Sequence, residues 1–572
     1  MSKRIVIDPI TRIEGHLRIE VMVDDNNVVT DAYSSSTLWR GLETIVKGRD
    51  PRDAGFLMQR ICGVCTFSHY KAGIMAVENA LGITPPLNAI LTRTLMNNAL
   101  FLHDHPVHFY QLHGLDFVDI VSALSADPFK AQDEAFKYTD FPYACGADHL
   151  KTVQTKIKAF VDKGNLGPFA NAYYGHKTYR LTPEQNLIAL SHYLECLRVQ
   201  RTAAQMMAIF GAKQPHPQSL TVGGVTCVMD ILSPARLGEY MTKFNEVKDF
   251  VNRAYYADLV MAGKAYANEQ SVLNDVGVAN LFTHQEFQVA KNEWLFQSGI
   301  IMNGDLSKVE ELDESRITEE ATHSWYKNNI PLHPYDGEQE PNYTGFKDEK
   351  TLNAKGEMVD TKVLDTAGKY SWIKSPRYGG KPLQVGPLAN IVVNYAKGNK
   401  YVVPVVDKFL KDTGLPLGAV LSTLGRTACR MIEAKIVADN GLMALNSLIE
   451  NIKSGDTETC AKYVIDKNKE YKGRYIGHVP RGTLSHWCRI EKGVIKNWQA
   501  VVPSTWNASP KDAGGTMGSY EACLIGLKIA DLTQPLEIIR KIHSYDPCIA
   551  CAVHVMDTKG NEISEYKVNP NL

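Results

Sequence analysis

The sequence predicts an α+β fold that has a predominantly helical core and small β regions near both ends of the chain. Near the N-terminus, apolar and polar residues alternate on both sides of a polar turn at 24–27, which is typical of a β-hairpin. The middle of the chain carries long segments with apolar residues at helical spacing, and short strand-like segments return near the C-terminus. With 572 residues, 44% of them hydrophobic, the chain can bury a large core.

Each element is predicted from its local pattern, in chain order. Strands are predicted at 3–8 and 16–36. Helical spacing of apolar residues is shared by the segments 53–82, 87–125, 183–211, 234–267, 403–412 and 416–454. Residues 303–382, rich in Gly, Pro, Tyr, Asp and Lys, predict long irregular excursions, and 472–510 predicts short strands and turns.

No internal repeat or low-complexity linker divides the chain, so we expect a single large unit over residues 1–554. Within this unit, a β region (1–50) precedes a helical core (51–300), irregular excursions (301–400) and a mixed helical and β part (401–554).

The charge balance excludes several classes of function. The chain has 62 Lys and Arg against 63 Asp and Glu, a net charge of -1, which argues against a nucleic-acid-binding protein and against a disordered acidic chain. The N-terminus lacks the apolar stretch of a secretory signal, and no run of about 18 apolar residues predicts a membrane span. These features favour a cytoplasmic protein, but export together with a signal-bearing partner stays open.

Two C-x-x-C pairs stand near opposite ends of the chain: Cys62 with Cys65, and Cys548 with Cys551. Random placement of the cysteines gives only about 0.2 such pairs, and two thiolate pairs can enclose one soft metal ion. Almost the whole chain separates the pairs, which favours a buried redox-active or catalytic metal. A structural zinc ion with four cysteine ligands and an iron–sulfur cluster are the alternatives.

The surroundings of the pairs carry charge, because Arg60 precedes the first pair and Asp546 the second. A cation beside thiolates can stabilise them and can hold an anionic ligand. The other seven cysteines are single and scattered, so electrons from a redox site have to leave through a separate partner. A second metal site at His103, His105 and His108 is disfavoured, because Pro106 interrupts their helical spacing.

Over its whole length the chain resembles the large, catalytic subunit of nickel–iron hydrogenases, most of all the membrane-associated uptake enzymes. The motifs that carry the resemblance are Arg60-Ile61-Cys62-Gly63-Val64-Cys65 with His69, the segment 546–554 (DPCIACAVH), and the blocks 12–16 (RIEGH), 39–43 (WRGLE), 385–389 (VGPLA) and 480–482 (PRG). The resemblance implies a nickel ion bound by all four thiolates. Cys65 and Cys551 would bridge to an iron that carries one carbonyl and two cyanides.

The resemblance also implies a proton path. Heterolytic cleavage of H2 releases a proton, so a base has to stand beside the metal. Cys548, a terminal nickel ligand like Cys62, would accept the proton first, and Glu14 would relay it.

The resemblance also implies roles for further residues that line the cofactor pocket. Arg481 resembles the family's arginine above the iron, where it can bond a cyanide, and Pro480 stands next to it in the same motif. Ser504 would bond the other cyanide. Asp104 and Asp546 would orient Arg481, and His69 would bond near Cys65.

A magnesium-type site would be made by Glu43, the Ala500 carbonyl and His554, since oxygen ligands suit a hard ion.

Residues 555–572 resemble the extension that a dedicated endopeptidase removes after nickel insertion, so the chain is interpreted as a precursor. The extension is expected to keep Cys548 and Cys551 apart from the rest of the site until nickel-insertion proteins have loaded it.

The resemblance implies reversible oxidation of H2, with electrons passed to an iron–sulfur small subunit and onward to a membrane anchor or cytochrome b-type subunit. It also implies a place on the periplasmic side of the cytoplasmic membrane, reached with a signal-bearing small subunit, after maturation in the cytoplasm. Two alternatives are a non-catalytic hydrogen-sensing subunit and a structural subunit of a related quinone-reducing respiratory complex. Members of the second class generally lack the cysteine pairs.

Overall fold

The computed structural model describes residues 3–164, 166–273 and 275–549. Cys551, His554 and the extension 555–572 lie outside the described residues. Within the described part, no helix combines the length and the apolarity that crossing a membrane requires.

The described elements mix helices and strands, as the sequence predicts. The strands are β1 (Lys3–Ile7), β2 (Leu17–Val23), β3 (Val29–Ser36), β4 (Leu220–Thr221), β5 (Gly224–Val225), β6 (Leu281–Thr283), β7 (Glu286–Ala290), β8 (Glu293–Phe296), β9 (Gly299–Ile301), β10 (Ile317–Glu320), β11 (Lys347–Leu352), β12 (Met358–Val363), β13 (Ser375–Tyr378), β14 (Tyr471–Val479), β15 (Gly482–Glu491) and β16 (Val494–Val501). The helices are α1 (Leu42–Ile45), α2 (Ala54–Met58), α3 (Thr66–Leu81), α4 (Leu87–Val107), α5 (Pro128–Ala135), α6 (Ala147–Asp162), α7 (Pro183–Gly211), α8 (Val228–Ile231), α9 (Pro234–Phe250), α10 (Tyr256–Ala265), α11 (Gln270–Leu273), α12 (Pro387–Ala396), α13 (Val403–Thr413), α14 (Thr423–Asn440), α15 (Leu442–Lys453), α16 (Pro503–Asn507), α17 (Ser519–Leu524) and α18 (Leu536–Ser544).

The N-terminal sheet brings the two ends of the chain together. Strands β1, β2 and β3 form an antiparallel meander, and Asp24 closes its turn by accepting the backbone N–H groups of Asn26 and Val28. The buried faces of these strands pack with apolar side chains of α17 and α18 in one hydrophobic cluster that also contains Ile549. The predicted hairpin is thus confirmed, and it fixes the C-terminal segment against the N-terminal one.

The helical core is built around α4, which packs against α7, α14 and α15 and is buried along most of its length. Pro106 has no backbone N–H to donate, and the helix continues beyond it as a π-helical turn over His108–His113. Helix α7 matches the predicted segment 183–211. It begins at Thr182, whose side chain forms a capping box with Gln185.

Three predicted helical segments differ from the structure, and one of them, 416–454, consists of a 3-10 turn followed by α14 and α15. The segment 53–82 is not one helix, because the chain leaves helical geometry at Cys62 and re-enters it only at Thr66. The segment 87–125 leaves α-helical geometry after Val107, and short 3-10 turns follow the π-helical turn. Buried residues such as Cys62, Cys65 and Phe109 lie within these two interrupted stretches, so apolar spacing alone does not reveal the breaks.

The sheets are more extensive than predicted. Strands β14, β15 and β16 form a continuous antiparallel sheet over 471–501, where short strands and turns were expected. Short antiparallel pairs also occur in the middle of the chain, β6 with β9 and β7 with β8. The irregular segment 303–382 contains β10–β13, which pair only with one another.

Glu521 of α17 gives the fold a pH-dependent stability. Its side chain is fully buried beneath β3, where Oε1 accepts hydrogen bonds from the Ser34 N–H and the Tyr370 hydroxyl. Burial raises the pKa of Glu521 to about 8, although these hydrogen bonds act to lower it. The folded protein therefore binds more protons than the unfolded chain between pH 4.5 and about 8, and the free energy of unfolding falls as the pH rises through this range.

The Glu521→Gln variant is expected to lose this dependence, because the amide keeps the accepting oxygen and has no proton to lose. Relative to the wild type, the variant should gain stability by a few kcal/mol, roughly 1.4 kcal/mol per unit of pKa shift, as the pH rises from 5 to 8. Thermal unfolding midpoints of both proteins, recorded across this range, check the prediction. A difference between the two proteins that stays constant with pH would contradict it.

Candidate metal centre

The first cysteine pair lies in the loop that precedes α3. A 3-10 turn ends at Ile61, Cys62 adopts extended geometry, and Cys65 is the residue before the first turn of α3. The Cys62 sulfur accepts hydrogen bonds from the backbone N–H groups of Val64 (3.2 Å) and Cys65 (3.1 Å). Donors of this kind suit a thiolate ligand. The break in the predicted helix 53–82 therefore allows the C-x-x-C segment to fold around the sulfur of Cys62.

Cys548, from the second pair, reaches the first pair through a backbone bridge between the segments around residues 14 and 548. The Glu14 N–H donates to the Pro547 carbonyl (3.3 Å), and the Ile549 N–H donates to the Glu14 carbonyl (2.7 Å). These contacts hold the Cys548 sulfur 3.4 Å from that of Cys62 and 4.0 Å from that of Cys65. All three cysteines are buried.

The separation of the sulfurs fits a shared metal ion. With a metal–sulfur bond of about 2.3 Å, tetrahedral ligands lie roughly 3.7–3.8 Å apart, between the two observed distances. Ordinary core cysteines have no reason to converge in this way. The structure therefore brings together three of the four predicted ligands, and the fourth, Cys551, lies outside the described residues.

Arg481 faces the sulfurs from the turn between β14 and β15. Its Nη1 lies 3.1 Å from Asp104 Oδ2 and its Nη2 lies 3.2 Å from Asp546 Oδ1, so both predicted orienting carboxylates hold it. Burial acts to lower the pKa of Arg481, but Asp546, the nearby cysteines and Asp104 outweigh burial and raise the pKa well above its usual value. The guanidinium is therefore a fixed positive charge beside the site.

The turn that carries Arg481 requires a glycine. Gly482 has φ +129°, and a Cβ there would come within 2.5 Å of the Gly386 nitrogen. The PRG and VGPLA motifs thus lie against each other, and their close backbone approach positions Arg481 over the cavity that also contacts Cys65 and Cys548.

Replacement of Arg481 by methionine is expected to lower the free energy of unfolding by about 3–5 kcal/mol, because it leaves two buried carboxylates without their cation. Arg489 offers a matched control, since its ion pairs with Glu470 and Asp336 lie at the surface and Arg489→Met should cost at most about 1 kcal/mol. Thermal unfolding of both variants checks this. Equal shifts for the two variants would argue against a structural role for the Arg481 ion pairs.

Glu14 contacts the sulfur of Cys548, and Ser504 contacts its backbone. Glu14 Oε2 lies 3.4 Å from the Cys548 sulfur, in a geometry in which the thiol donates to the carboxylate. The Ser504 Oγ, on the short helix α16, accepts the Cys548 backbone N–H (3.1 Å). Both predicted neighbours are therefore in place: one can exchange a proton with the sulfur and the other fixes its backbone.

The other predicted pocket residues have different partners. His69 contacts the same cavity as Cys65, but its Nδ1 lies 3.1 Å from Nε2 of His486, and burial lowers the pKa of His69 to about 4. The Pro480 carbonyl accepts a hydrogen bond from Arg430 (3.1 Å). Pro480 thus positions the Arg481 turn through its bond with Arg430. Pro480 does not line the cavity that Cys65 and Cys548 contact.

The three histidines around Asp104 bond to separate partners. His103 contacts Asp104, His105 contacts Glu433, and His108 contacts the His543 carbonyl. Their ring nitrogens therefore do not converge on a common point.

A second group of carboxylates surrounds the predicted magnesium-type site. Glu43 Oε1 accepts the Ala500 N–H (2.7 Å), so these two predicted ligands are adjacent, while His554 lies outside the described residues. Burial raises the pKa of Glu43, and burial together with the charge of Glu43 raises the pKa of Glu319 to about 7. A cation here would offset the cost of burying both acids.

Sequence reasoning missed Glu319, Lys374 and His486. The charge of Lys374 acts to lower the pKa of both Glu43 and Glu319. His486 contacts His69. Glu319 and Lys374 belong to the segment expected to form surface excursions, and no spacing in the sequence connects them to residue 43. Only the folded arrangement reveals them.

Comparisons with known proteins agree on one family. The family model described as "Nickel-dependent hydrogenase" matches residues 40–554, and one described as "HoxL-like" matches residues 4–35. The chain is 68% identical to the quinone-reactive Ni/Fe-hydrogenase large chain of Wolinella succinogenes, over 100% of this chain and 99% of that one. It is 44% identical to the uptake hydrogenase large subunit of Rhizobium leguminosarum bv. viciae, over 99% and 98% of the two chains.

The fold is similar to solved structures as well. The reduced Ni-Fe-Se hydrogenase of Desulfovibrio vulgaris Hildenborough superimposes with a TM-score of 0.77 at 31% identity, covering 97% of this chain and 100% of that chain. The H2-activated [NiFeSe]-hydrogenase of Dm. baculatum superimposes with a TM-score of 0.74 at 32% identity, covering 97% and 100%. This chain has cysteine at position 548 and at the other three predicted ligand positions.

Proposed function

Because the chain belongs to the nickel-dependent hydrogenase family, as a large subunit, we propose that Cys62, Cys65, Cys548 and Cys551 hold its nickel–iron centre. The protein is a hydrogenase, and its reaction is the oxidation of H2 to protons and electrons. One observation carries the ligand assignment: the sulfurs of Cys62 and Cys65 lie 3.4 and 4.0 Å from the sulfur of Cys548. Four soft thiolates suit nickel, and two of them can also bridge to iron.

When bound, the nickel–iron centre supplies the redox site at which H2 is split. The chain has to take up the proton that this reaction releases. Cys548 would accept it first, because its sulfur would be a metal ligand and lies in hydrogen-bonding contact with Glu14. Glu14 then receives the proton and carries it away from the sulfur. Glu14 is half-buried, unlike the buried sulfur of Cys548 that it contacts, which supports this role.

Arg481 and Ser504 would hold the diatomic ligands of the iron, which we propose to be one carbonyl and two cyanides. A buried guanidinium fixed by two carboxylates presents N–H donors in a rigid orientation, which suits a cyanide nitrogen. Ser504 accepts one hydrogen bond through Oγ and has a hydroxyl proton to donate to the second cyanide.

The third metal site takes a hard cation such as Mg²⁺, held by Glu43, the Ala500 carbonyl and His554. The raised pKa values of Glu43 and Glu319 support it, because buried acids of this kind attract a compensating cation. Ala500 places this site on β16.

An iron–sulfur small subunit takes the electrons. Among the described residues, Cys62, Cys65 and Cys548 are the one group of cysteines close enough to share a metal, so the described part offers no second relay of thiolates. The name of the Wolinella succinogenes relative supports a quinone as the eventual acceptor, reached through a membrane anchor or cytochrome b-type subunit. We place the complex on the periplasmic side of the cytoplasmic membrane, exported with a signal-bearing small subunit.

Hydrogen-dependent reduction of a viologen dye by the purified complex tests the activity. Catalytic turnover with electrons recovered in the dye supports an enzyme. Reversible binding of H2 without multiple turnovers would instead favour the hydrogen-sensing alternative.

The extension 555–572 is expected to be absent from the active protein, because it follows the last predicted ligand, His554, and would keep the C-terminal segment from closing over the metals. A maturation endopeptidase removes it in the cytoplasm after nickel-insertion proteins have acted. Intact-mass measurement on fully active enzyme checks this prediction. A mass that includes all residues up to Leu572 would contradict it, and nickel-free protein from the same cells should retain the extension as a control.

A further inference from the structure

Arg430, in the middle of α14, bonds to three different segments of the chain. Its side chain is fully buried, and α14 packs against both α4 and α18. Its Nε donates to Nδ1 of His108 (3.1 Å), its Nη1 to the Pro480 carbonyl (3.1 Å) and its Nη2 to the Ser544 carbonyl (3.3 Å). One planar guanidinium group therefore ties three segments together in a single geometry.

Each of these segments carries one member of the Arg481 cluster, which consists of Arg481, Asp104 and Asp546. His108 lies four residues after Asp104, one turn further along the helix that α4 and its π-helical turn form. The second partner is the carbonyl of the residue directly before Arg481, and Ser544 lies two residues before Asp546. The three residues that pair with one another beside the metal centre are thus joined a second time, through Arg430.

The contact between Arg430 and His108 has only one possible polarity. The Nε2 of His108 lies 2.8 Å from the His543 carbonyl, which can only accept, so Nε2 carries the ring proton. The guanidinium can only donate, so Nδ1 of His108 is the acceptor. Burial and the charge of Arg430 lower the pKa of His108 well below its usual value, which keeps the ring neutral. His108 therefore connects α14 to α4 as a fixed hydrogen-bonding link.

The bond to Ser544 lies where the chain leaves α18. The last carbonyls of a helix have no partner within the helix, and a cation is favourable at this end. Here the Ser544 carbonyl accepts Arg430, and the His543 carbonyl accepts both His108 and the Asp546 N–H (2.9 Å). Asp546 itself has left-handed backbone geometry, with φ 57°. The bonds of Arg430 and His108 therefore help to set the backbone that presents Asp546.

Arg430 also brings a second positive charge to the cluster. Asp104 and Asp546 are two carboxylates that share the single guanidinium of Arg481. Burial raises the pKa of Asp546, and the charges of Arg481 and Arg430 oppose that rise. Buried charges are costly unless they are balanced, so Arg430 favours the ionised cluster as well as its geometry.

We propose that Arg430 is a positioning residue for H2 oxidation, which holds Arg481, Asp104 and Asp546 so that the Arg481 guanidinium faces the metal centre in one orientation. This role rests on the function proposed above for Arg481. The described hydrogen bonds of Arg430 reach none of the predicted metal ligands, and Arg430 does not line the cavity that Cys65 and Cys548 contact. Arg430 therefore acts through the cluster.

The Arg430→Lys variant of the purified, metal-loaded complex tests the proposal. Lysine keeps the positive charge but has a single donor nitrogen, which cannot reproduce the three bonds of the guanidinium. H2-dependent dye reduction should fall by about tenfold or more, as is usual when a partner beside a metal site is removed, while nickel and iron stay at the wild-type level. The infrared bands of the cyanide ligands should shift, because the N–H donors of Arg481 would be displaced.

Arg540 provides the matched control. It is also fully buried, and its described hydrogen bonds go to oxygen atoms of Asp116 and Thr178, which lie away from the Arg481 cluster in sequence. Arg540→Lys should therefore keep the wild-type rate and the wild-type cyanide bands. Unchanged bands and rate in folded, metal-loaded Arg430→Lys, or equal changes in the two variants, would overturn the proposal.

Arg481→Lys separates this proposal from the function assigned to Arg481. If Arg430 acts through Arg481, the double variant should be no slower than Arg481→Lys alone, because effects that share one path do not add. Rate losses that multiply in the double variant would overturn the proposal for Arg430 only, as would a slow Arg481→Lys beside a fast Arg430→Lys. A wild-type rate in Arg481→Lys would instead remove the function proposed for Arg481 itself.

His108→Leu covers the case in which Arg430→Lys does not fold. This substitution removes the link between Arg430 and the helix that carries Asp104. It should shift the same cyanide bands, with a smaller loss of rate, because two of the three bonds of Arg430 remain. Wild-type cyanide bands in a folded, metal-loaded His108→Leu protein would then overturn the proposal.

Discussion

Replacement of Cys548 by serine is expected to remove nickel from the protein and abolish H2 oxidation. The Cys548 sulfur lies 3.4 Å from the Cys62 sulfur and 4.0 Å from the Cys65 sulfur, the other two described ligands. A serine hydroxyl is a harder donor that stays protonated at neutral pH, so it binds nickel far more weakly than a thiolate. The loss in metal affinity should exceed the roughly 10–100-fold that removal of an outer-shell partner typically costs. Elemental analysis and H2-dependent dye reduction on the purified complex measure both effects.

Cys523 provides the matched control. It is also buried, but its sulfur bonds to the Tyr520 carbonyl, a contact that a serine hydroxyl can replace. Cys523→Ser should therefore keep both nickel and activity. Nickel retained at the wild-type level in Cys548→Ser would show that Cys548 is not a ligand.

The second large effect is expected at Glu14. In Glu14→Gln the backbone contacts with Pro547 and Ile549 remain, so the bridge that places Cys548 should persist. The amide cannot take up a proton from the Cys548 sulfur, and turnover should fall by about 10²–10⁴-fold, the usual contribution of a positioned proton-transfer group. Nickel content should stay at the wild-type level, which separates this effect from the loss of the metal in Cys548→Ser.

A shorter carboxylate distinguishes proton transfer from packing. Glu14→Asp keeps a titratable group but withdraws it from the sulfur, so its activity should lie between those of the wild type and Glu14→Gln. If Glu14→Gln turned over H2 at the wild-type rate, Glu14 would have no part in proton transfer. If both variants lost nickel, Glu14 would act on the site through the fold.

The sequence identified the ligands of the metal centre more completely than the residues that contact those ligands. Cys62 and Cys65 stand out by spacing, and Cys548 matches the second pair, because ligand chemistry demands particular residues at particular separations. The contact between Glu14 and Cys548 follows from the family resemblance alone, since nothing in local spacing joins residues so far apart in the chain. The structure supplies its cause, a backbone bridge that the N-terminal sheet holds in place.

Long-range partners and short strands were the main omissions. Glu319 and Lys374 are ordinary residues in their own segments and acquire chemistry only by packing beside Glu43. Strands such as β6 and β9 span three residues each, too few for alternation to be recognised. The helix break at Cys62 was equally hidden, because the residues on both sides are buried in the same core.

The most direct test of the metal centre is metal analysis combined with infrared spectroscopy of the purified, active complex. We expect nickel and iron in equal amounts in the large subunit, a hard cation such as magnesium, and infrared bands of one carbonyl and two cyanide ligands. Zinc as the only metal at the cysteine site, with no carbonyl or cyanide bands, would contradict the assignment of Cys62, Cys65, Cys548 and Cys551 as ligands of a nickel–iron centre.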